Sequence, residues 1–191
     1  MAGETLKKRN IVLTGFMGTG KSAVGRYLAR RLQMDFVDTD EEIERRTGLK
    51  IPEIFARYGE NYFRAEESKV VEEVAGRENC VIATGGGVVL NPENIRKLRE
   101  RGVIILLEAS PEVIAERVLA SEERPLLSCS REPVGRIKEL LKFRAPFYQN
   151  CDLRIDTSCL GLEKVVEQIV SLLEEQGWEI EKVKDRGKLE G

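Results

Sequence analysis

Short apolar runs alternate with amphipathic stretches along most of the chain. Several of these runs are continuously apolar, which is typical of strands covered by helices on both faces. Between them, apolar residues recur at helical spacing, most clearly over Ser22–Gln33 and from Leu162 to Leu173. The pattern predicts an α/β fold with one open, mainly parallel sheet. The predicted strands are Asn10–Thr14, Asp35–Asp38, Cys80–Thr84, Val103–Glu108 and Leu153–Asp156.

Two stretches interrupt this alternation. Residues 121–133 are polar, contain two prolines and show no periodicity, which predicts a long loop. Loops of this length are often functional lids, and an irregular excursion is the alternative. After Gln176 the chain is charged and has few large apolar residues. We therefore expect a single domain over residues 1–175, with the lid at about 121–133 and a charged C-terminal appendage over 176–191.

The charge balance and the hydropathy of the chain argue against several classes of function. The 191 residues include 31 lysines and arginines and 33 acidic residues, a net charge of −2. This balance argues against a protein that coats nucleic acid or an anionic membrane. No apolar run approaches the roughly 20 residues that cross a bilayer. The start of the chain lacks the apolar segment of a secretory signal, so we expect no membrane partner and a cytoplasmic location.

The side chains available for chemistry are restricted. Histidine is absent, which removes Ser-His and Cys-His mechanisms and imidazole metal ligands. The four cysteines are far apart and form no CxxC pair, which is typical of reduced thiols rather than a zinc site. Any reaction must therefore use carboxylates, arginines, lysines, backbone amides or a bound metal ion.

One motif has both the composition and the context of a phosphate-binding loop. Gly15–Ser22 fits GxxxxGK[ST], follows an apolar predicted strand and enters an amphipathic predicted helix. Its glycines allow successive N–H groups to point inward around an anion, and the helix N-terminus adds its own donors. Lys21 would reach the β- and γ-phosphates, and the Ser22 hydroxyl would be a magnesium ligand. The alternative is a glycine-rich turn that matches by chance.

What the protein does with a bound nucleoside triphosphate depends on the residues that follow the other predicted strands. No NKxD motif for guanine is present, and the strand ending at Thr84 is followed by Gly85–Gly87 rather than by a carboxylate. Asp38 and Asp40 lie just beyond the second predicted strand. Because ligands collect at the carboxyl ends of parallel strands, these groups should share one edge with the phosphate loop.

Together these motifs resemble the shikimate kinases. The phosphate loop, DTD at 38–40, FRxxE at 63–67, the triple glycine, RPLL at 124–127 and RAPFY at 144–148 occur in the order and rough spacing of that family, over about residues 9–173. The resemblance implies a nucleoside-monophosphate-kinase fold, a three-layer α/β structure with a five-stranded parallel sheet and a lid. It also implies Mg²⁺-dependent transfer of the ATP γ-phosphate to the 3-hydroxyl of shikimate, in aromatic amino acid biosynthesis. Small-molecule substrates would suffice, so a monomer is expected.

The resemblance also implies roles for individual residues. Arg64 and Arg144 would hold the shikimate carboxylate, since guanidinium groups engage both oxygens. Asp40 would orient or deprotonate the attacking hydroxyl, and Asp38 would hold magnesium with Ser22. The triple-glycine loop, Gly85, Gly86 and Gly87, would bring backbone N–H groups close to the ring. The expected ATP contacts are Gly18, Thr19, Gly20, Lys21, Ser22, Ala23, Arg117 and Arg124, of which Lys21 and Arg124, with Asp40, would be catalytic.

Each element also has an ordinary structural interpretation. Arg64 alone would be a surface charge in weak ion pairs, and Arg144 a charge near a helix C-terminus. Asp38 and Asp40 would be an N-capping pair, and the triple glycine a loop after a strand. Two other functions stay open, another small-metabolite kinase such as a gluconate kinase and a nucleotide-binding regulatory protein that has lost activity. The intact Lys21, Asp40 and arginines favour the kinase.

Overall fold

The strands form a parallel sheet whose order brings the first strand to the centre. In a computed structural model, residues 10–120 and 133–178 are described. Within them, five strands lie in the order β2-β3-β1-β4-β5, and every neighbouring pair is parallel. The strands are β1 Asn10–Gly15, β2 Asp35–Asp38, β3 Cys80–Ala83, β4 Gly102–Glu108 and β5 Leu153–Asp156. The predicted strands are confirmed, with some ends shifted by one residue.

Helices connect successive strands and cover both faces of this sheet. They are α1 Lys21–Leu32, α2 Thr39–Thr47, α3 Ile51–Ala75, α4 Pro92–Arg101, α5 Pro111–Leu119, α6 Pro133–Tyr148 and α7 Leu162–Glu175, with a 3-10 turn at Val88–Leu90. Helix α3 is interrupted at Gly59, whose φ of 77° and ψ of 176° are outside the helical region. A non-helical glycine here separates the first turns of α3 from the part that carries Arg64.

Successive side chains of the central strand face opposite layers, as a pleated strand requires. Val12 packs with α3 and α4 on one face, in a cluster that includes Val70, Val74, Ile95 and Leu98. Ile11 and Leu13 pack with α1 and α7 on the other face, in a cluster that includes Val24, Leu28, Val166 and Ile169. This arrangement confirms the predicted three-layer α/β architecture.

The predicted lid and most of the predicted appendage lie outside the described residues. Of the lid, only Pro133, which begins α6, belongs to the described part. At the other end, Trp178 packs against the α1–α7 cluster, three residues beyond the predicted domain boundary. In the part of the chain that the structure covers, no helix has the length and apolar character needed to span a membrane.

Candidate active site

The predicted phosphate loop lies between the central strand β1 and helix α1. Gly15, Gly18 and Gly20 have φ values of 141°, 77° and 95°, a range that side-chain-bearing residues rarely adopt. The Lys21 ammonium donates to the Phe16 carbonyl at 2.9 Å and is largely buried, at 8% exposure. The lysine therefore lies over the loop, where it can reach a bound phosphate.

The two residues predicted to bind magnesium are in contact. The Ser22 hydroxyl donates to a carboxylate oxygen of Asp38 at 2.6 Å. The other Asp38 oxygen accepts the backbone N–H of Asp40 at 3.0 Å, so Asp38 is also the N-cap of α2. The ordinary interpretation is thus correct for Asp38, but Asp40 lies in the first turn instead of capping it.

The chemistry of this pair fits a magnesium ion. Magnesium in phosphate-transfer sites usually keeps several waters and is held by one or two protein oxygens plus the substrate phosphates. A hydroxyl and a carboxylate beside the phosphate loop, Ser22 and Asp38, match that need. Over the described residues there is no group of three or more His, Cys, Asp or Glu able to hold a metal. A magnesium ion held by Ser22 and Asp38 would take its remaining ligands from water and from the nucleotide phosphates.

The triple-glycine loop after β3 is surrounded by the residues predicted to bind substrate. A methyl group at Gly85 would collide with a carboxylate oxygen of Asp40, and one at Gly87 with the guanidinium of Arg64. At Gly86 it would lie 3.6 Å from the Arg144 guanidinium and 3.5 Å from the backbone of the phosphate loop. Larger residues at positions 85 and 87 would displace these side chains, which explains the glycines physically.

Arg64 is held by carboxylates on its own helix. Its guanidinium lies 2.8 Å from Glu67 and 3.1 Å from Glu60. Glu67 is buried, with 1% of its surface exposed, and burial raises the pKa of this carboxyl although Arg64 opposes the change. Burial also opposes the charge on Arg64, but Glu67 and Glu60 together raise the pKa of the guanidinium. Glu67 lies within the FRxxE motif, yet sequence reasoning assigned it no role.

Arg144 points inward from α6 toward the glycine loop. It donates to the Gly86 carbonyl at 3.1 Å, and its guanidinium carbon lies 5.2 Å from the centre of the Phe16 ring in the phosphate loop. The Tyr148 hydroxyl, one turn later, donates to the same Gly86 carbonyl at 3.2 Å. The structure thus shows the Gly86 carbonyl occupied by α6, and Tyr148 is a contact that sequence reasoning missed.

Arg117 lies on α5 and contacts the phosphate loop at a different point from Arg144. It donates to the Gly18 carbonyl at 3.2 Å and to Thr157, just after β5, through two bonds of 3.0 and 2.7 Å. Arg117 therefore contacts the backbone of the phosphate loop, and its contact with ATP stays a prediction. Arg124 lies outside the described residues.

Comparison with known proteins decides the family. A family model described as shikimate kinase matches residues 17–174. A shikimate kinase of Pelotomaculum thermopropionicum is 52% identical over 172 residues, covering 89% of this chain and 98% of the relative. The chain belongs to the shikimate kinase family.

Solved structures of shikimate kinases have the same fold. The Acinetobacter baumannii shikimate kinase, solved in complex with shikimate, matches with a TM-score of 0.84 and 37% identity over 93% of this chain and 98% of that one. The Aquifex aeolicus shikimate kinase matches with a TM-score of 0.77 and 39% identity over 88% of this chain and 98% of that one.

Family membership confirms the predicted resemblance, the five-stranded parallel fold and the assignment to an ATP-dependent kinase family. The structure brings Asp38, Asp40, Arg64 and Arg144 to the edge formed by the phosphate and triple-glycine loops. Ser22 and Ala23 follow Lys21 in the first turn of α1. The roles of these individual residues stay predictions.

Proposed function

We propose that this chain transfers the γ-phosphate of ATP to the 3-hydroxyl of shikimate, in aromatic amino acid biosynthesis. The observation that carries the proposal is the triple-glycine loop, which Asp40, Arg64 and Arg144 approach closely and which lies against the phosphate loop. This arrangement combines a place for a carboxylate, a place for a hydroxyl and a phosphate cradle within one edge of the sheet.

The substrate side supplies complementary charge. Arg64 and Arg144 approach the glycine loop from different helices, α3 and α6, so both can face one small anion above it. Their planar donors suit the two oxygens of the shikimate carboxylate. With the carboxylate fixed, Asp40 would accept a hydrogen bond from the hydroxyl that attacks the phosphate, and so orient or deprotonate it.

The phosphate side stabilises the transferred group. Phosphoryl transfer depends mainly on positioning and on electrostatic stabilisation of the phosphate oxygens. Lys21 and the N–H groups of the phosphate loop would bind those oxygens. Ser22 and Asp38 would hold Mg²⁺, which when bound neutralises charge on the phosphates.

The residues outside the described part complete the proposal. We expect Arg124 to contact the ATP phosphates and the segment at 121–133 to cover the site, which excludes water as a competing acceptor. Arg124→Ala should then depress turnover strongly, whereas Arg64→Ala should chiefly raise the KM for shikimate. We further propose that the enzyme is a monomer, because its chemistry needs only small-molecule substrates. We also propose that it acts in the cytoplasm.

ADP release by the purified protein tests this function. With ATP and Mg²⁺, we expect release to require shikimate and not to be stimulated by gluconate, the acceptor of a comparable small-metabolite kinase. Stimulation by gluconate alone would contradict the assignment of the acceptor. ATP binding without stimulation by either compound would favour a nucleotide-binding regulatory protein.

A further inference from the structure

A buried threonine links the end of β5 to the phosphate loop. Thr157 has only 2% of its surface exposed and lies immediately after the last strand. Its hydroxyl is 3.1 Å from the Thr19 carbonyl of the phosphate loop and 3.0 Å from a guanidinium nitrogen of Arg117. The Arg117 guanidinium also holds the Gly18 carbonyl. One side chain thus contacts both the loop and the arginine that lies against it.

The hydrogen bonds of this hydroxyl can be assigned from its single proton. A hydroxyl donates one bond and accepts up to two, and it must accept the bond from Arg117, which can only donate. Two carbonyls lie within reach of its proton, those of Thr19 and Glu108, both at 3.1 Å. The Glu108 carbonyl already accepts the backbone N–H of Thr157 at 2.8 Å. The Thr19 carbonyl accepts no backbone N–H among the hydrogen bonds of the described residues, so we assign the proton to it, where it satisfies an otherwise unbonded acceptor.

Holding the Thr19 carbonyl also orients the peptide to which it belongs. The carbonyl of Thr19 and the N–H of Gly20 share one planar trans peptide, so they point in opposite directions. A bond that fixes the carbonyl on the Thr157 side fixes the Gly20 N–H on the other side. Gly20 has no side chain and a φ of 95°, so its own conformation leaves the peptide freedom to turn. The hydrogen bonds of Thr19 to the Phe16 carbonyl and of the Gly20 carbonyl to the Val24 N–H hold the two neighbouring groups, and the Thr157 bond acts on the Thr19 carbonyl itself.

We propose that Thr157 is a positioning residue for nucleotide binding, which sets the orientation of the Thr19–Gly20 peptide and of the Arg117 guanidinium. The proposal rests on the proposed function, because it takes the phosphate loop as the ATP site. In this proposal Thr157 makes no direct contact with the nucleotide. Its effect on the nucleotide passes through the loop and Arg117.

The test compares variants of Thr157 in the full-length protein. Thr157→Val keeps the shape and removes the hydroxyl, and Thr157→Ser keeps the hydroxyl. A matched control is Thr47→Val, since the Thr47 hydroxyl also donates to a backbone carbonyl, that of Ile43 at 2.9 Å, but lies at the far end of α2. The measured quantities are the Kd for ADP with Mg²⁺ by calorimetry, the KM values for ATP and shikimate, and Tm.

We expect Thr157→Val to weaken ADP binding and raise the KM for ATP by about tenfold, the effect of losing a hydrogen bond near a charged group. The KM for shikimate should not change, and Thr157→Ser should restore ADP affinity. Thr47→Val should lower Tm without changing ADP affinity. A Thr157→Val protein that loses Tm but binds ADP like the wild type would overturn the proposal.

A second variant and a binding measurement without shikimate allow the test to decide the role of Thr157. If Thr157→Val does not fold, Thr157→Ala removes the same hydroxyl with less bulk, and its ADP affinity is judged by the same criterion. ADP binding is measured without shikimate. A failure of shikimate-dependent turnover in the wild type would therefore contradict the proposed function and leave the comparison of ADP affinities intact.

Discussion

The two halves of the candidate site are built in different ways. The core of the phosphate side is the phosphate loop, one continuous segment, Gly15–Ser22, and most of its donors are backbone groups between a strand and a helix. The substrate side comes from long side chains on separate elements, Asp40 on α2, Arg64 on α3 and Arg144 on α6, which meet at the triple-glycine loop. Substitutions should therefore affect the two halves differently. Within the phosphate loop itself few side chains should matter, because backbone N–H groups supply most of the donors, whereas on the substrate side each side chain should matter.

The largest effect is expected at Lys21, whose side chain is the charged one within the Gly15–Ser22 segment. Lys21→Met should lower kcat by about a hundredfold or more, because a preorganised donor to the transferred phosphate is lost. The measurement is shikimate-dependent ADP release, with Lys97→Met as the control. Lys97 lies on α4 and pairs with Glu72, 3.2 Å away. A Lys21→Met enzyme with normal kcat would show that the backbone alone suffices.

Loss of an arginine on the substrate side should act on a different kinetic constant. Arg144→Ala should raise the KM for shikimate by about 10- to 100-fold, the value of a charge-assisted hydrogen bond, and leave the KM for ATP unchanged. Arg136→Ala is the matched control on the same helix, since Arg136 pairs with Glu139 at the surface. An equal rise in both KM values for Arg144→Ala would contradict the separation of the two halves.

A smaller change tests whether the glycine loop sets the arginine position. Gly87→Ala places a methyl group against the flexible end of Arg64, which can move aside without disturbing the core. We expect the KM for shikimate to rise by about three- to tenfold, because a binding group moved out of its position interacts less well with the substrate. Tm should be nearly unchanged. The control is Gly161→Ala, because a methyl group at Gly161 would have no other heavy atom within 4 Å. Unchanged shikimate affinity in Gly87→Ala would contradict the role of the loop.

The smallest expected effect is a pH-dependent change in Tm when Glu67, the buried carboxylate that pairs with Arg64, is substituted. Burial raises the pKa of Glu67 in the folded protein above its ordinary value of 4.5. Its contribution to the free energy of unfolding is therefore fully present below that value and is lost as the pH rises through the folded pKa. Glu67→Gln does not titrate, so between about pH 4 and pH 7 the Tm of the variant should gain about 1 to 4 °C relative to the wild type.

Glu60→Gln separates this effect from simple loss of an ion pair. Glu60 is a second carboxylate partner of Arg64, but 62% of its side chain is exposed. The Tm difference between Glu67→Gln and the wild type should change more over this pH range than the difference for Glu60→Gln, because Glu67 is buried and Glu60 is exposed. A Tm difference for Glu67→Gln that does not change with pH would contradict the cost assigned to burial.

The comparison of the two halves also explains what could be predicted from sequence. The phosphate loop could be predicted because its geometry is local, and a strand, glycines and a helix follow one another in the chain. The parallel sheet followed from continuous apolar runs such as Cys80–Thr84. Arg64 and Arg144 could be assigned only through the joint family pattern, because neither position has a distinctive local sequence.

The contacts that could not be predicted from sequence are side-chain hydrogen bonds to distant backbone carbonyls and an ion pair with a buried carboxylate. Tyr148 donates to the carbonyl of Gly86, and Thr157 to that of Thr19, across long separations in the chain. A backbone carbonyl is the same for every residue, so such a bond leaves no trace in the partner's identity. Glu67 was missed for another reason, since its burial depends on how α3 packs against the glycine loop.

The most direct test of the account is the position of the phosphate in the product. The wild-type enzyme is incubated with ATP, Mg²⁺ and shikimate, and the product is examined by phosphorus and proton NMR. We predict one phosphate ester with phosphorus coupled to the proton on C3 of the ring, because Asp40 and the two arginines fix the ring relative to the phosphate loop. A phosphate on another hydroxyl, or release of inorganic phosphate with unchanged shikimate, would contradict the account.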